Sequence, residues 1–250
     1  MIRRSSQHIL RNTDQLLGAF FQPIMFLVLF ASVFGASIEQ ALPTGITYIN
    51  FLMAGIVVQT VAFGSTTTAL SVANDLKKGI VDRFRSLPMS NLAVLNGHVV
   101  SDIFRNAIST GVMLVAGLAI GFRPKADVLG WLQITGILLI FTFAFSWLSA
   151  IIGVIAKSVE AVQWLTFVII FPLTFASSAF TPTEGMGRFL KAFAENQPIT
   201  HVVEAVRSLI LNDPRYPIEN HGVMAVVWSI ALLVIALPIA SHLFRKKTVQ

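Results

Sequence analysis

The 250-residue sequence contains no cysteine, so a disulfide framework, a thiolate metal site and a cysteine nucleophile are all excluded. Charge is the second shortage. Asp, Glu, Lys and Arg make up 12% of the chain, about half the roughly 25% of a soluble domain. A globule of this size would lack the polar surface to cover itself. Disorder is excluded too, because it needs high charge and low hydrophobicity. No Gly-x-x-x-x-Gly-Lys-Ser/Thr loop occurs, so the chain has no standard cradle for nucleotide phosphates. Neither His-Glu-x-x-His nor Gly-x-Ser-x-Gly is present. The histidines at 8, 98, 201, 221 and 242 lack metal-ligand spacing. His201 and Glu204 share a helix face, which reads as a structural contact. No linker, low-complexity tract or repeat divides the chain, so 1–250 reads as one transmembrane domain.

What is present is apolar. Hydrophobic residues make up 55% of the chain and the mean hydropathy is +0.75, which points to an integral membrane protein. A formal net charge of +6 could by itself suit nucleic acid. The basic residues, however, sit in short clusters beside apolar runs, as membrane topology requires, so nucleic acid is not an expected partner.

A hydrocarbon core of about 30 Å needs roughly 20 helical residues at about 1.5 Å each. Six stretches qualify: 20–36, 49–72, 99–122, 129–156, 162–180 and 223–244. The sequence thus predicts an all-α polytopic protein with six transmembrane helices. An even number places both termini on one side. That side holds Arg3, Arg4, Arg11, Lys77, Lys78, Arg83, Arg85, Arg105, Lys157, Arg245, Lys246 and Lys247, twelve of the eighteen Lys and Arg residues. The positive-inside rule makes it the cytoplasm. Residues 1–18 read as an interfacial helix with Ile2, Ile9, Leu10, Leu16 and Leu17 on its apolar side. A cleavable leader ending near Phe34-Gly35-Ala36 is the rival reading.

The spans carry almost no charge. Asp102 and Arg105 are expected near the inner mouth of the third span, and no carboxylate is expected at the centre of any. Energy for transport would then come from outside the helices. Gln59, Thr66, Phe141, Phe145, Ser146 and Ser177 are candidates to line a pathway. The plainer reading is helix packing through small and hydroxyl residues. Gly117 and Gly121 form a small-xxx-small pair, suited to packing or to a dimer face.

Two loops are long enough to hold structure. In the inner one, 74–98, Leu76, Ile80, Phe84 and Leu87 fall on one helical face, with Asp82, Arg83 and Arg85 off it. Asp75 is the expected N-cap and Pro88 the stop. Such a helix lies flat on lipid or plugs into a groove on a soluble partner. In the outer loop, 181–222, the chain breaks at Asn196-Gln197 and a new helix starts with Pro198 at its first position. Ile199, Val202, Val203, Val206, Leu209 and Ile210 form an apolar face, and Glu204 pairs with Arg207 on the other. Two such short helices cannot span. They fit a re-entrant pair dipping into the outer leaflet.

These residues resemble the type-2 ATP-binding-cassette (ABC) exporter permeases, above all the daunorubicin-resistance type membrane subunit. The segment Asp75-Leu76-Lys77 through Asp82-Arg83 to Pro88-Met89-Ser90 is similar to that family's stretch before the third span. Phe193, Asn196, Pro198, Thr200 and Arg207 are similar to its Asn-Pro-x-Thr stretch, with Gln197 inserted between Asn196 and Pro198. The resemblance implies a permease subunit in the cell membrane, not itself an enzyme, that exports an amphiphilic or hydrophobic solute such as a drug, a lipid or a lipid-linked glycan. Its partners would be a second copy, two ATPase subunits, lipid and the small amphiphilic substrate. ATP and Mg would be bound by the ATPase, with no cofactor in this chain. Asp75, Leu76, Ile80, Asp82, Arg83, Phe84, Arg85, Leu87 and Pro88 would couple to the ATPase. Phe193, Asn196, Pro198, Thr200, Glu204 and Arg207 would gate the extracellular exit. The alternatives are an ATP-independent secondary transporter or channel, and a sensory protein that binds an ATPase but moves nothing.

Overall fold

The structure is a computed structural model that describes residues 13–78 and 92–249. The described residues are helical and form no strand. Nine α-helices follow in order among the described residues: α1 Thr13–Glu39, α2 Tyr48–Gly64, α3 Thr66–Lys77, α4 Leu92–Ala119, α5 Val128–Ile155, α6 Val159–Phe175, α7 Arg188–Asn196, α8 Pro198–Leu211 and α9 Glu219–Val249. Side chains set several of the boundaries. Asp127 caps α5 by accepting from the Gly130 N–H at 2.7 Å. Ser158 caps α6 by accepting from Ala161 at 3.1 Å. At the end of α4, the Phe122 N–H reaches back to the Gly117 carbonyl at 2.9 Å around Gly121, whose φ is +108°, a left-handed terminal turn that favours glycine.

By length and composition, five helical stretches among the described residues can cross a membrane: Phe21–Glu39, Tyr48–Lys77 (α2 and α3 together), Val94–Ala119, Val128–Ile155 and Asn220–Lys247. The stretch expected over 162–180 is not one long helix. α6 has 17 residues, about 26 Å, and ends at Phe175 just after Pro172, leaving an irregular segment before the 3-10 turn at Thr183–Gly185. Hydropathy runs on to Phe180, but the backbone does not. Phe180 instead stacks on Phe30 of α1 at 4.6 Å between ring centroids, and meets the Phe175 ring in a tilted contact at 4.8 Å.

Burial sorts the crossings. About 72% of the apolar window is buried in the α2–α3 stretch and in α5, against 17% in α1 and 22% in α9. α5 is therefore the central post, packed most extensively on α9 and then on α3. The outer helices turn Phe21, Val33, Trp164, Val168, Val223 and Val234 outward, the arrangement of a surface solvated by lipid. Gly117 packs within the chain and Gly121 serves a turn. A Cβ on Gly117 would stand 2.7 Å from the Met53 sulfur.

The bundle has two ends. At the upper end the starts of α2, α5 and α9 meet the ends of α1, α4 and α6. There the Tyr48 hydroxyl donates to the Phe180 carbonyl at 2.8 Å, and the Lys125 N–H donates to Ile210 at 2.8 Å. At the lower end α3 and α4 are tied by His98 and Asp75 at 2.8 Å, and Lys247 of α9 donates to the Val154 carbonyl of α5.

Candidate functional site

At the upper end α8 is embedded among helices that cross. It has 14 residues, about 21 Å, too short to span. Pro198 starts it, as the sequence requires, and Gln197 precedes it in extended backbone. The Gln197 amide donates to the Leu173 and Ala176 carbonyls at 2.6 and 3.0 Å. These are carbonyls that the end of α6 leaves without helical partners. The residue interrupting the Asn-Pro-x-Thr pattern thus plugs the end of a short crossing.

Glu204 and Arg207 pair, as their spacing predicts. Arg207, however, is not on an exposed face. It is 0% exposed, in the middle of the core. Its Nε donates to the Phe51 carbonyl at 3.2 Å, and one terminal nitrogen donates to the Ser178 carbonyl at 2.6 Å. The guanidinium lies over the Phe51 ring at 3.6 Å, a cation–π contact. Burial pulls Arg207 below the usual arginine range, and the Glu204 carboxylate pushes back. One planar cation therefore joins α8, α2 and the segment after α6 through a fork of donors that lysine cannot supply.

Above this tie lies an open cavity of about 370 Å³. Its floor is Phe51, Ser178, Thr200 and Glu204, and its walls are Pro182, Thr183, Glu184, Glu195, Arg215, Tyr216, Pro217 and His221. Thr200 accepts a hydrogen bond from the Ser178 N–H at 3.3 Å, and Thr183 donates to Glu195 at 3.1 Å. Arg215 grips Asp213 at 2.6 and 2.9 Å, which holds that carboxyl well below its ordinary range. His201 and His221 bring their Nδ1 atoms to 3.3 Å. Burial, then the neighbouring ring of His221, lowers the His201 pKa, while Glu204 opposes the shift. Of the six expected gate residues, Thr200 and Glu204 line the cavity and Arg207 lies in the core beside them, hydrogen-bonded to the floor residue Ser178. Pro198 starts the helix. Phe193 and Asn196 are exposed on α7, off the cavity lining, and the Asn196 amide donates back to Ala192 at 2.8 Å. Sequence reasoning missed Phe51, Glu184, Tyr216 and His221, which distant segments deliver.

The expected coupling residues fall mostly elsewhere. Ile80, Asp82, Arg83, Phe84, Arg85, Leu87 and Pro88 lie outside the described residues. Asp75 is not an N-cap, and Leu76 does not begin a new helix. Both belong to the last turn of α3, which continues the second crossing to Lys77. The Asp75 side chain is engaged by His98 of α4.

The six pathway candidates are packed inside the subunit. Gln59, Phe141, Phe145, Ser146 and Ser177 are buried, Thr66 is half-buried, and none lines the cavity. Phe141 and Phe145 pack against each other as tilted rings with centroids 4.4 Å apart, and Ser146 donates to Asp102. Asp102 is the acceptor that gathers this cluster. It is fully buried about 15 Å along α4, clasped by Arg105, Ser146 and Thr67.

An all-helical polytopic chain with a short helix plugged into one end defines an integral membrane protein of the permease kind. The chain belongs to the ABC-2 type transporter family, whose sequence profile matches residues 1–211. It is the transmembrane permease subunit of an ABC exporter. It is 30% identical over 233 residues to a daunorubicin resistance ABC transporter permease of Streptomyces coeruleorubidus, covering 93% of this chain and 80% of that one. It is 24% identical over 243 residues to a probable doxorubicin resistance ABC transporter permease of Mycobacterium tuberculosis, covering 95% and 84%. A putative transport permease of Porphyra purpurea is 23% identical over 213 residues, covering 85% and 73%.

Proposed function

We propose that the chain crosses the cell membrane six times, with α6 as the short fifth crossing, both termini in the cytoplasm and the upper end outside. Two copies assemble with two ATPase subunits, which bind ATP and Mg and hydrolyse the nucleotide. The exported solute is amphiphilic or hydrophobic, of the drug class for which two of the relatives are named. One observation carries this reading. α8 is too short to cross, yet it sits buried between α2, α5 and α9 beneath an open cavity, where a gate on the exit side must be. α7 lies at the interface, with Phe189 87% exposed.

The lower end receives the power stroke. α3 runs directly into the inner segment 79–91, whose apolar positions Ile80, Phe84 and Leu87 dock on the ATPase. Nucleotide closes the ATPase pair, the inner segments move with it, and the bundle exchanges access states. Solute affinity for the two states must differ, because a ligand shifts an equilibrium only by its differential affinity.

The test is reconstitution of the permease with its ATPase in liposomes, with doxorubicin as the probe. ATP-dependent doxorubicin movement is expected from the complex, and none from either subunit alone. Phe84→Asp is expected to abolish movement while the permease stays inserted and folded. Uphill movement by the permease without the ATPase would overturn the reading.

A further inference from the structure

The apolar stretch Tyr48–Lys77 is interrupted near its middle. α2 ends at Gly64, α3 begins at Thr66, and the Thr68 N–H bonds the carbonyl of Ser65, three residues back instead of four. A tightened turn inside a helix marks a place where two segments can change their relation. The chemistry around this turn is polar. The Thr67 hydroxyl has two acceptors within reach: the Gly64 carbonyl at 2.7 Å, on its own crossing, and Asp102 Oδ1 at 3.0 Å, on α4. A hydroxyl has one proton to give. Asp102 is fully buried and is held in place by Arg105 from its own helix and by Ser146 from α5. Gly64 leaves room for Asn106, whose Oδ1 lies 1.9 Å from where a Cβ would stand. Both polar atoms of the Asn106 amide are buried without a partner, so bonding capacity lies unused beside the turn.

We infer that α3 is a lever hinged at Gly64–Thr66 and latched to α4 by Asp102, with the Thr67 hydroxyl as the bolt. The inference rests on the reading of the chain as a nucleotide-driven permease. Movement of the inner segment pulls the far end of α3. The Thr67 proton then transfers its hydrogen bond from Asp102 to the Gly64 carbonyl, so the latch opens without stranding a buried donor. This makes release cheap compared with breaking an ion pair. Asp102 acts through Thr67, as a positioning residue. A charge inside a membrane segment is costly, and here it gives one crossing a fixed anchor against which its neighbour swings.

The absence of cysteine makes the test clean. Spin labels are placed on Lys78→Cys, at the end of α3, and Asn96→Cys, on α4, both exposed. The distance between them is measured by pulsed electron paramagnetic resonance in the full complex with its ATPase, in nanodiscs, without nucleotide and with ATP and vanadate. Thr67→Val keeps the side-chain shape and the Asp102–Arg105–Ser146 contacts but removes the bolt. Without nucleotide it is expected to shift the population toward the nucleotide-bound distance by about fivefold, the surplus of a hydrogen bond to a carboxylate over one to a carbonyl. Thr67→Ser is expected to restore the original distribution. An unshifted Thr67→Val distribution, or failure of Thr67→Ser to restore it, overturns the latch. If the otherwise unmutated labelled complex shows no nucleotide-driven change, the nucleotide-driven reading itself is overturned.

Discussion

Arg207 is the most expensive residue in the upper end, and its cost explains how it must be partnered. A fully buried guanidinium keeps its charge only because two carbonyls, an aromatic face and the Glu204 carboxylate replace the water it lost. Glu204 keeps 17% of its side-chain surface, so it has less to lose than its partner. Glu204→Gln should therefore destabilise the fold by about 3–5 kcal/mol, because it leaves the buried cation uncompensated. Adding Arg207→Met should recover most of that loss, since removing both charges is far cheaper than removing one. Thermal unfolding of the single and double variants in nanodiscs checks this; equal losses would show that the pair is not the cause. His201 gives a pH dependence with a definite sign. Its pKa is depressed below the ordinary value of 6.5, so the folded state binds fewer protons than the unfolded one. The stability it contributes is whole above about pH 6.5 and is lost as pH falls from there toward the depressed value. Amide protection along α8, after correction for the intrinsic base-catalysed exchange rate, should fall between about pH 7.5 and 5.5, and His201→Gln should flatten the change.

At the scale of elements, α8 and α6 depend on each other. Gln197 is both the residue before α8 and the plug on the end of α6. Gln197→Ala should leave the Leu173 and Ala176 carbonyls unbonded and cost about 1–3 kcal/mol locally. Faster hydrogen exchange confined to the last turn of α6 and the first of α8 is the expected signature. These elements also show what a sequence can reveal. The start of α8 at Pro198 was legible, because proline at a first helical position is a local signal. The depth of Arg207 was not. Eleven of the fourteen residues of α8 are buried, so the helix is clasped on its polar side as well as on its apolar face, and the apolar face alone does not mark what lies inward. The end of α6 was illegible for a related reason. Hydropathy reports the medium around a residue, and the irregular segment after Phe175 sits in the same apolar surroundings as the helix before it. Asp75 looked like a cap because Asp is common there, but its partner His98 arrives from another helix, which no local pattern records. The cavity walls at Glu184, Tyr216 and His221 were likewise invisible, being joined only by tertiary packing.

For the whole molecule, the alternation of chain direction carries the topology. The end of α1 meets the start of α2, where Glu39 accepts from the Tyr48 N–H at 3.2 Å, and each later crossing returns to the opposite end. α6 takes part in this alternation in spite of its length, and the proposed six crossings depend on it, since among the described residues five stretches are long enough by themselves. A crossing of about 26 Å is short of a core of about 30 Å, and mismatch of that size is met by local thinning or by neighbours covering the end. Here Gln197 and the Phe175–Phe180 contact provide the cover. If α6 does cross, Lys78 and Lys157, both exposed at the lower end, face the cytoplasm, and Arg188, exposed at the upper end, faces outside. In a chain free of cysteine each can be replaced singly by cysteine and challenged with a membrane-impermeant maleimide. Arg188→Cys is expected to label in intact cells, and Lys78→Cys and Lys157→Cys only after permeabilisation. Labelling of Lys157→Cys together with Arg188→Cys from outside would move α6 out of the set of crossings, and the chain would then have an odd number of crossings, with its termini on opposite sides of the membrane.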